Sequence, residues 1–295
     1  MSILVFFILF LKYLQCNLNI VLYIKITLIK NTGDKLPLSI FQVIVLGMVE
    51  GITEFLPISS TGHLIVVSSL LNIPQNSISI TYEVSIQLGS ILAVFYEYRN
   101  LISDDLNLWI KILIGTMPVG LLGLFFYKVI FKLFTIEVVA TSFIVGGILF
   151  IIVERFLSLK PHIHNLKEIS LKKSLIIGLF QAISLIPGSS RSGMTIIGGM
   201  LSGLDRKTAT EFSFLLSLPV MILATSFTIF KHFDELNINN VLNIVLGFIV
   251  SFIVATLAIR WLLDYVKRHD FTPFGIYRII FGIILLIFFH NAIIS

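Results

Sequence analysis

The sequence predicts an all-α integral membrane protein. Of its 295 residues, 57% are hydrophobic and 13% are charged, and the mean hydropathy is +1.01. A soluble chain of this composition could not cover its core with polar surface. Crossing a bilayer takes roughly 20 apolar residues. Stretches of this kind recur at 80–98, 108–127, 137–157, 210–230, 241–259 and 275–293, so we expect six membrane-spanning helices.

Residues 1–36 form an N-terminal extension that precedes the first broken apolar stretch. Residues 1–33 are apolar but interrupted by polar side chains, which fits a weak extra span, a signal-like segment or an upstream start-site extension. The chain's single cysteine, Cys16, lies here, and it excludes an internal disulfide and a zinc site built from cysteines. We assign no chemistry to this segment.

Two apolar stretches, 47–71 and 178–201, are too short and too interrupted by glycine and proline to span simply, and they resemble each other. Chance similarity between apolar sequences is the alternative, but the match includes polar positions. With one residue gapped, the aligned pairs are Gly47 with Gly178, Glu50 with Gln181, Pro57 with Pro187, Ser59-Ser60 with Ser189-Ser190, and Thr61 with Arg191. A glutamate-led span follows each stretch, at Glu83 and Glu211.

We therefore expect an inverted-topology repeat, in which each half is a re-entrant helical hairpin plus three transmembrane helices. Each hairpin returns to its own side of the membrane, so each half crosses the membrane three times. Because three is an odd number, the second half is inserted upside down relative to the first, and the hairpin tips meet near the midplane. Irregular backbone at that depth must be buried in protein or line a cavity. The expected boundaries are a first repeat at 37–157 with its hairpin at 37–72, a loop at 158–173, and a second repeat at 174–295 with its hairpin at 174–203.

The net charge of +5 comes from basic residues in short loops, a pattern typical of membrane topology rather than of nucleic-acid binding. The side of the 158–173 loop carries Arg99, Lys111, Arg155, Lys160, Lys167, Lys172, Lys173, Arg206, Lys207, Arg260, Lys267, Arg268 and Arg278. The opposite side carries Lys35, Lys128, Lys132 and Lys231. Cytoplasmic loops of membrane proteins carry an excess of basic residues, so the count of thirteen against four places this loop in the cytoplasm. The first hairpin then enters from outside and the second from the cytoplasm.

Glu50 and Glu54 are four residues apart, so they share one face of a helix inside an apolar run. Carboxylates in such a run need a function or strong partners. Hydrogen bonds to nearby hydroxyls are the structural alternative. The functional alternatives are an acid/base pair or a site for a divalent cation, Mg²⁺ or Ca²⁺, because hard cations prefer carboxylate oxygens.

Pro57 ends that helix, and three hydroxyls and an imidazole follow it, at Ser59, Ser60, Thr61 and His63. Hydroxyls and backbone amides at the start of a helix form a cradle for an anion. A lone histidine is commonly a satisfied structural residue, but at a hairpin tip His63 is placed for proton transfer.

The second tip holds Arg191, the one basic residue within either hairpin core, among Ser189, Ser190 and Ser192. An unpaired arginine at bilayer depth costs about 2.5–3.5 kcal/mol on insertion scales, so an anionic partner is expected. An ion pair with Glu50 or Glu54 would satisfy it without a ligand. Its planar fork of donors also matches phosphate oxygens, and the serines add further donors.

These motifs, EGITEFLPISSTGH at 50–63, PGSSRSG at 187–193 and the later EFSF at 211–214, resemble the undecaprenyl-diphosphatases of the bacitracin-resistance type. The resemblance runs from about residue 37 to the C-terminus. It implies a multi-pass protein of the bacterial plasma membrane that uses a divalent cation to hydrolyse undecaprenyl diphosphate, recycling the lipid carrier for peptidoglycan synthesis and conferring bacitracin resistance.

Carried over by residue, the resemblance makes Glu50, Glu54, Ser60, His63 and Arg191 catalytic. Ser60 is then the nucleophile, Glu54 or His63 takes its proton, and Arg191 and the metal stabilise the diphosphate. Direct attack by water, with Ser60 only binding phosphate, remains open.

Other functions fit part of the pattern. A transporter or lipid flippase shares the inverted-repeat architecture but releases no phosphate. A structural membrane subunit would leave the buried charges unexplained. We expect the active site to open to the outer face, and the oligomeric state, including a homodimer, stays open.

Overall fold

The computed structural model describes residues 38–73, 77–133, 135–157, 160–231 and 238–294, which belong to one compact unit, Leu38–Ser295. The predictions for residues 1–36 lie outside the described residues. The helices are α1 Ile40–Thr53, α2 Ser60–Leu70, α3 Ser77–Asp104, α4 Leu106–Lys132, α5 Ile136–Ile151, α6 Leu171–Ala182, α7 Arg191–Leu201, α8 Arg206–Lys231, α9 Ile238–Tyr265 and α10 Thr272–Ile294. A π-helical turn, Ile152–Phe156, continues α5. The described chain contains no β-strand, so the all-α prediction is confirmed.

Five of the six predicted spans fall within the long helices α3, α4, α8, α9 and α10, and the sixth, 137–157, covers most of α5 and the π-helical turn after it. Three segments of the described chain are long and apolar enough to cross a membrane: Leu106–Phe126, Ile136–Phe156 and Val241–Tyr265. Large apolar side chains on α4, among them Leu124 and Phe125, are exposed at 70% and 74%. Exposed apolar surface on this scale is expected of helices that face lipid.

The first broken stretch forms the antiparallel pair α1 and α2. Ser39 caps α1, since its hydroxyl accepts from the Gln42 amide while the Gln42 side chain accepts from the Ser39 amide. The Gln42 side chain also donates to the Leu71 carbonyl at 3.2 Å. The end of α2 therefore lies beside the start of α1, and the chain returns to the end of the molecule at which the pair began.

The second broken stretch forms the pair α6 and α7 in the same way. The Ser170 hydroxyl caps α6 by accepting from the Lys173 amide. Beyond α7, the Gly203 carbonyl accepts from the Ile163 amide at 3.1 Å, and Ile163 pairs with Leu204 as an isolated bridge. This pair too begins and ends at one end of the molecule.

The two turns share an uncommon backbone conformation, which corrects the predicted alignment. Ser59, immediately before α2, has φ 70° and ψ 97°, and Ser190, immediately before α7, has φ 72° and ψ 112°. Non-glycine residues rarely adopt positive φ. Ser59 thus corresponds to Ser190 rather than to Ser189, and Ser60 corresponds to Arg191. The separation of Ser59 and Ser190 along the chain equals that of Gly47 and Gly178, so the corrected alignment needs no gap.

The open ends of the two pairs lie at opposite ends of α3. The Tyr82 hydroxyl, near the start of α3, donates to the Val43 carbonyl of α1 at 2.7 Å. The Lys111 ammonium, near the start of α4, donates to the Lys167 carbonyl before α6 at 2.8 Å. Because α4 follows α3 directly, the first pair lies by the start of α3 and the second by its end.

Arg278 does not lie in a loop, where the charge count had placed it. It occupies the second turn of α10, and its side chain is fully buried. A buried arginine inside a helix does not report on the surface charge of either membrane face. Lys111 is likewise buried inside α4, so the basic side of the count falls from thirteen residues to eleven, and the imbalance of charge persists.

Candidate active site

The Glu54 carboxylate joins the two helix pairs. It lies at the C-terminal end of α1, and its Oε1 accepts from Arg191 Nη2 at 3.0 Å while its Oε2 accepts from the Ser60 hydroxyl at 2.5 Å. Ser60 is the first residue of α2 and Arg191 is the first residue of α7. Two helix N-termini, each the positive end of a helix dipole, therefore converge on one buried carboxylate.

Arg191 has protein partners for only part of its guanidinium. Besides the ion pair with Glu54, its Nη1 donates to the Ser213 carbonyl at 3.0 Å. Its Nε is buried and finds no hydrogen-bond acceptor in the described part of the chain. The ion pair that the sequence left open is thus present, and one donor remains available for a further anion.

Glu50 lies one helical turn before Glu54 and is completely buried. Neither of its carboxylate oxygens accepts a hydrogen bond from a donor among the described residues, and its carboxyl adjoins that of Glu54. Two carboxylates can face each other when a proton or a cation lies between them. These unsatisfied oxygens are the donor type that Mg²⁺ and Ca²⁺ prefer.

The predicted cation site has two protein carboxylates, and the described residues hold no group of three or more His, Cys, Asp or Glu side chains positioned to bind a metal ion. Two carboxylates suit Mg²⁺, which commonly takes one or two of them and completes its shell with water and substrate phosphates. The residues present therefore fit a cation that is bound together with a phosphorylated substrate.

The predicted substrate-binding serines of the second turn shape that turn. The Ser189 hydroxyl donates to the Ile186 carbonyl at 2.7 Å, and the Ser190 hydroxyl accepts from the Gly193 amide at 3.1 Å as the cap of α7. The Ser192 hydroxyl crosses to the first turn, where it donates to the Leu56 carbonyl at 3.0 Å. A role for these hydroxyls in substrate binding stays a prediction.

The N-terminus of α2 is organised differently. Ser59, although it occupies the cap position, makes no capping hydrogen bond with its side chain. In α7, one amide of the first turn donates to the hydroxyl of the cap residue Ser190. In α2, no amide of the first turn donates to the hydroxyl of Ser59. Ser59 and Ser60 are buried and Thr61 is half-buried at this helix start. Such an N-terminus is suited to bind phosphate.

His63 is held on both sides by other groups. Its Nδ1 lies 2.7 Å from the Ser59 carbonyl oxygen, and its Nε2 lies 2.6 Å from the Tyr277 hydroxyl. A carbonyl oxygen can only accept, so Nδ1 carries a proton. The ring also stacks on Phe281 with centroids 4.6 Å apart. Of the two bases that the sequence left open for Ser60, the 2.5 Å contact favours Glu54.

Sequence reasoning missed three residues that complete the site. Ser213 supplies a carbonyl to Arg191, Tyr277 bonds to His63, and Arg278 donates to the carbonyls of both turns. An available signal was the arginine itself, because position 278 falls within the apolar stretch 275–293, where a charge marks a functional or structural site.

The fold and the site together define a membrane protein with long apolar helices and a buried glutamate that contacts the first residues of two helices. Residues 43–284 match the family described as bacitracin resistance protein BacA, and the chain belongs to that family. The resemblance predicted from the two motifs is confirmed.

Three curated relatives each align with 85% of this chain, and each is named undecaprenyl-diphosphatase. The protein from Methanococcus aeolicus is 58% identical over 253 residues, which are 85% of this chain and 99% of the relative. The protein from Persephonella marina is 49% identical over 85% of this chain and 99% of its own. The protein from Wolinella succinogenes is 48% identical over 85% and 98%.

Proposed function

We propose that this chain is a membrane phosphatase that hydrolyses undecaprenyl diphosphate to undecaprenyl phosphate and inorganic phosphate. The observation that carries the proposal is the convergence of Ser60 and Arg191 on the Glu54 carboxylate. A hydroxyl, its base and a guanidinium are the groups that phosphoryl transfer needs at one point. The names of the relatives supply the substrate.

In the proposed reaction, the Ser60 hydroxyl attacks the terminal phosphorus and Glu54 accepts its proton. The bond between that phosphorus and the bridging oxygen breaks, and Glu54 returns the proton to the departing undecaprenyl phosphate. Water then cleaves the phosphoserine and releases inorganic phosphate. Arg191 stabilises the charge on the phosphoryl oxygens throughout, since its fork of donors matches their geometry.

Direct attack by water is the alternative, with Ser60 binding the phosphate and Glu54 activating the water. It uses the same contacts and differs in having no covalent intermediate. Rapid quenching of the reaction with substrate carrying a labelled terminal phosphate would separate the two, because only the serine pathway leaves labelled protein.

Glu50 and Glu54 are the residues that would hold a Mg²⁺ or Ca²⁺ ion. Bound there, the cation would neutralise charge on the diphosphate oxygens. The support is the Glu50 carboxylate itself, which is buried beside Glu54 without a donor among the described residues. A buried carboxylate left in that state is costly unless a proton or a cation joins it.

The architecture that suits this reaction is an inverted repeat with two re-entrant hairpins, formed by α1–α2 and α6–α7. In such a repeat, helices α1 to α5 correspond to α6 to α10. The packing supports the correspondence. Helices α1 and α3 both pack on α9, and their counterparts α6 and α8 both pack on α4, which is the counterpart of α9. Helix α5 packs on α10, its own counterpart. The position of the two pairs at opposite ends of α3 is a further support.

In the cell, the reaction would recycle the lipid carrier for peptidoglycan synthesis at the bacterial plasma membrane. Removing the diphosphate form would also account for bacitracin resistance, which the family description names. The remaining charge imbalance favours a cytoplasmic 158–173 loop, and therefore a catalytic centre that opens to the outer face through the first hairpin.

The proposal is tested with purified protein in detergent, given undecaprenyl diphosphate and assayed for free phosphate with and without Mg²⁺ or Ca²⁺. We expect phosphate release that a chelator suppresses. Movement of the lipid between leaflets of proteoliposomes without phosphate release would identify a flippase instead. Neither activity, in protein that remains folded, would leave a structural subunit as the better description.

A further inference from the structure

Arg278 of α10 connects the two turns that carry the candidate active site. Its Nη1 donates to the Pro57 carbonyl of the first turn at 3.2 Å. Its Nη2 donates to the Gly188 and Ser189 carbonyls of the second turn at 3.0 and 3.1 Å. One guanidinium therefore holds both irregular segments, just before the helices that begin at Ser60 and Arg191.

The same guanidinium is anchored on α5. Its Nη2 donates to the Ser142 carbonyl at 3.0 Å, its Nε donates to the Phe143 carbonyl at 3.4 Å, and its Cζ lies 5.2 Å from the centre of the Phe143 ring. A glycine makes room for it, since a Cβ at Gly146 would lie 2.2 Å from Nη2. The helix α5 thus forms a fitted seat for this side chain.

Arg278 has no acidic partner among the described residues, and its hydrogen bonds there all go to backbone carbonyl oxygens. A buried cation pays a desolvation penalty that an aliphatic side chain of similar volume avoids. Carbonyl groups in irregular turns, however, lack partners of their own and must find donors. An arginine, with five donors in a fixed fork, satisfies several of them at once.

We propose that Arg278 is a positioning residue that fixes the two turns relative to each other, so that Ser60 and Arg191 meet on Glu54. Its role in catalysis rests on the proposed function, whereas its role in holding the turns does not. The two turns belong to separate helix pairs, and no helix is continuous across them. Without the clamp, the nucleophile and the phosphate-binding arginine lose their common geometry.

Three variants test the clamp by different routes. Arg278→Gln removes the charge and most donors, Arg278→Lys keeps the charge without the fork, and Gly146→Ala leaves Arg278 intact but occupies its seat. Gly120→Ala on α4 is the matched control, because a Cβ there meets no atom within 4 Å. All four are compared in the full chain.

The first readout is kinetic. Since a misplacement of about 1 Å in an active site can cost about 100-fold, we expect kcat for phosphate release to fall by about that factor in all three variants. KM should change less than kcat, because the lipid tail contributes binding away from the turns. Gly120→Ala should match the parent protein.

The second readout measures the turns without using activity. The Ser192 hydroxyl lies 3.0 Å from the Leu56 backbone carbonyl oxygen across the two turns. Cysteines replace these two residues in a Cys16→Ser background, and a short bifunctional thiol reagent joins them. We expect the yield of crosslinked protein to fall in the three clamp variants and to stay unchanged with Gly120→Ala.

A crosslink yield equal to the parent's in all three variants would overturn the clamp, whatever the activity. A lowered yield with normal kcat would overturn its part in catalysis. If the parent chain released no phosphate, the proposed function would fail, but a lowered crosslink yield would still support the clamp. Should Arg278→Gln fail to fold, Arg278→Lys and Gly146→Ala decide the question.

Discussion

Arg191 and Glu54 form a buried ion pair between the two helix pairs, with 3.0 Å between Nη2 and Oε1 and side chains that are 11% and 6% exposed. The arginine is therefore paired before any substrate arrives. A diphosphate that enters must share Arg191 with Glu54 or draw the guanidinium partly away from it. Either event frees Glu54 to accept the Ser60 proton, which links binding to activation of the nucleophile.

Arg191→Ala should lower phosphate release by at least about 100-fold, as expected when a donor to the transition state is removed. The same change leaves Glu54 buried without its counter-ion, and breaking a buried pair costs about 3–5 kcal/mol of stability. Arg191→Lys should recover little turnover, since a point charge does not reproduce the fork. Thermal unfolding in detergent and phosphate release together measure both effects.

The matched control for that variant is Arg260→Ala, which breaks the ion pair with Glu97 at 3.0 Å, where the side chains are 54% and 26% exposed. Exposed pairs contribute about 0–1 kcal/mol, so the midpoint of unfolding and the turnover should both stay near those of the parent. Near-normal turnover in Arg191→Ala would show that the guanidinium does not hold the phosphate.

Glu50→Gln and Glu54→Gln should each weaken turnover and raise the concentration of divalent cation required, because both carboxylates are proposed to hold it. The two variants should differ in degree. Glu54 also contacts Ser60 and Arg191, whereas Glu50 touches neither in the hydrogen bonds described. We therefore expect Glu50→Gln to be rescued by added Mg²⁺ further than Glu54→Gln.

The measurement is phosphate release titrated with Mg²⁺ and with Ca²⁺ in both variants. A cation requirement identical to the parent's in Glu50→Gln would remove the metal from this site. Glu50 would then act through a proton shared with Glu54, the other species that can lie between two carboxylates.

We expect substitutions of His63 to lower activity because they remove its hydrogen bond to Ser59, and not because they remove a ring that takes up a proton. Its protonated Nδ1 donates to the Ser59 carbonyl, which belongs to the positive-φ turn before α2. An asparagine at this position places its side-chain amide nitrogen near the position of Nδ1, where it can donate the same hydrogen bond. His63→Asn should therefore keep more activity than His63→Ala, with the pH profile of kcat unchanged.

Tyr277→Phe removes the hydroxyl that faces His63 Nε2 but keeps the ring, and we expect it to lower kcat by a few-fold through the same turn. Tyr98→Phe is the control, because the Tyr98 hydroxyl is buried without a partner among the described residues and its removal should be neutral. A His63→Asn protein as inactive as His63→Ala, with a shifted pH profile, would instead support proton transfer by the ring.

Periodicity and composition predicted the helices well, because they depend on local sequence. Five of the six apolar stretches lie in long helices, the sixth continues from α5 through a π-helical turn, and the two interrupted stretches form helix pairs. The shared face of Glu50 and Glu54 followed from their spacing alone. The register of the two turns did not, since aligning Pro57 with Pro187 imposed a gap that the backbone of Ser59 and Ser190 removes.

Long-range contacts are what the sequence could not supply. His63 meets Tyr277 across 214 positions, and Arg278 reaches Pro57 across 221. Arg278 was counted as a marker of topology although it lies inside the apolar stretch 275–293, because the sequence does not show which groups surround its side chain. The sequence likewise did not indicate that the Ser190 hydroxyl caps α7, whereas substrate binding by the serines of the second turn stays a prediction from their residue type.

The last expectation concerns the side on which the site opens. With the buried Arg278 and Lys111 removed from the count, eleven basic residues still lie on the side of the 158–173 loop against four opposite. The first helix pair, which carries Glu54 and Ser60, lies by the start of α3, away from that loop. We therefore expect the catalytic centre to be reached from the outer face of the membrane.

Ser60 is too deeply buried to report on access, so the probe is Thr61→Cys, at a half-buried position in the same helix turn, in a Cys16→Ser background. Intact cells are treated with a membrane-impermeant thiol reagent, and Lys172→Cys, at an exposed position in the first turn of α6, is the control for the cytoplasmic face. We expect labelling of position 61 in intact cells, reduced by undecaprenyl diphosphate, and labelling of position 172 only in inverted vesicles. Labelling of position 61 confined to inverted vesicles would place the opening on the cytoplasmic face, and phosphate would then be released inside the cell.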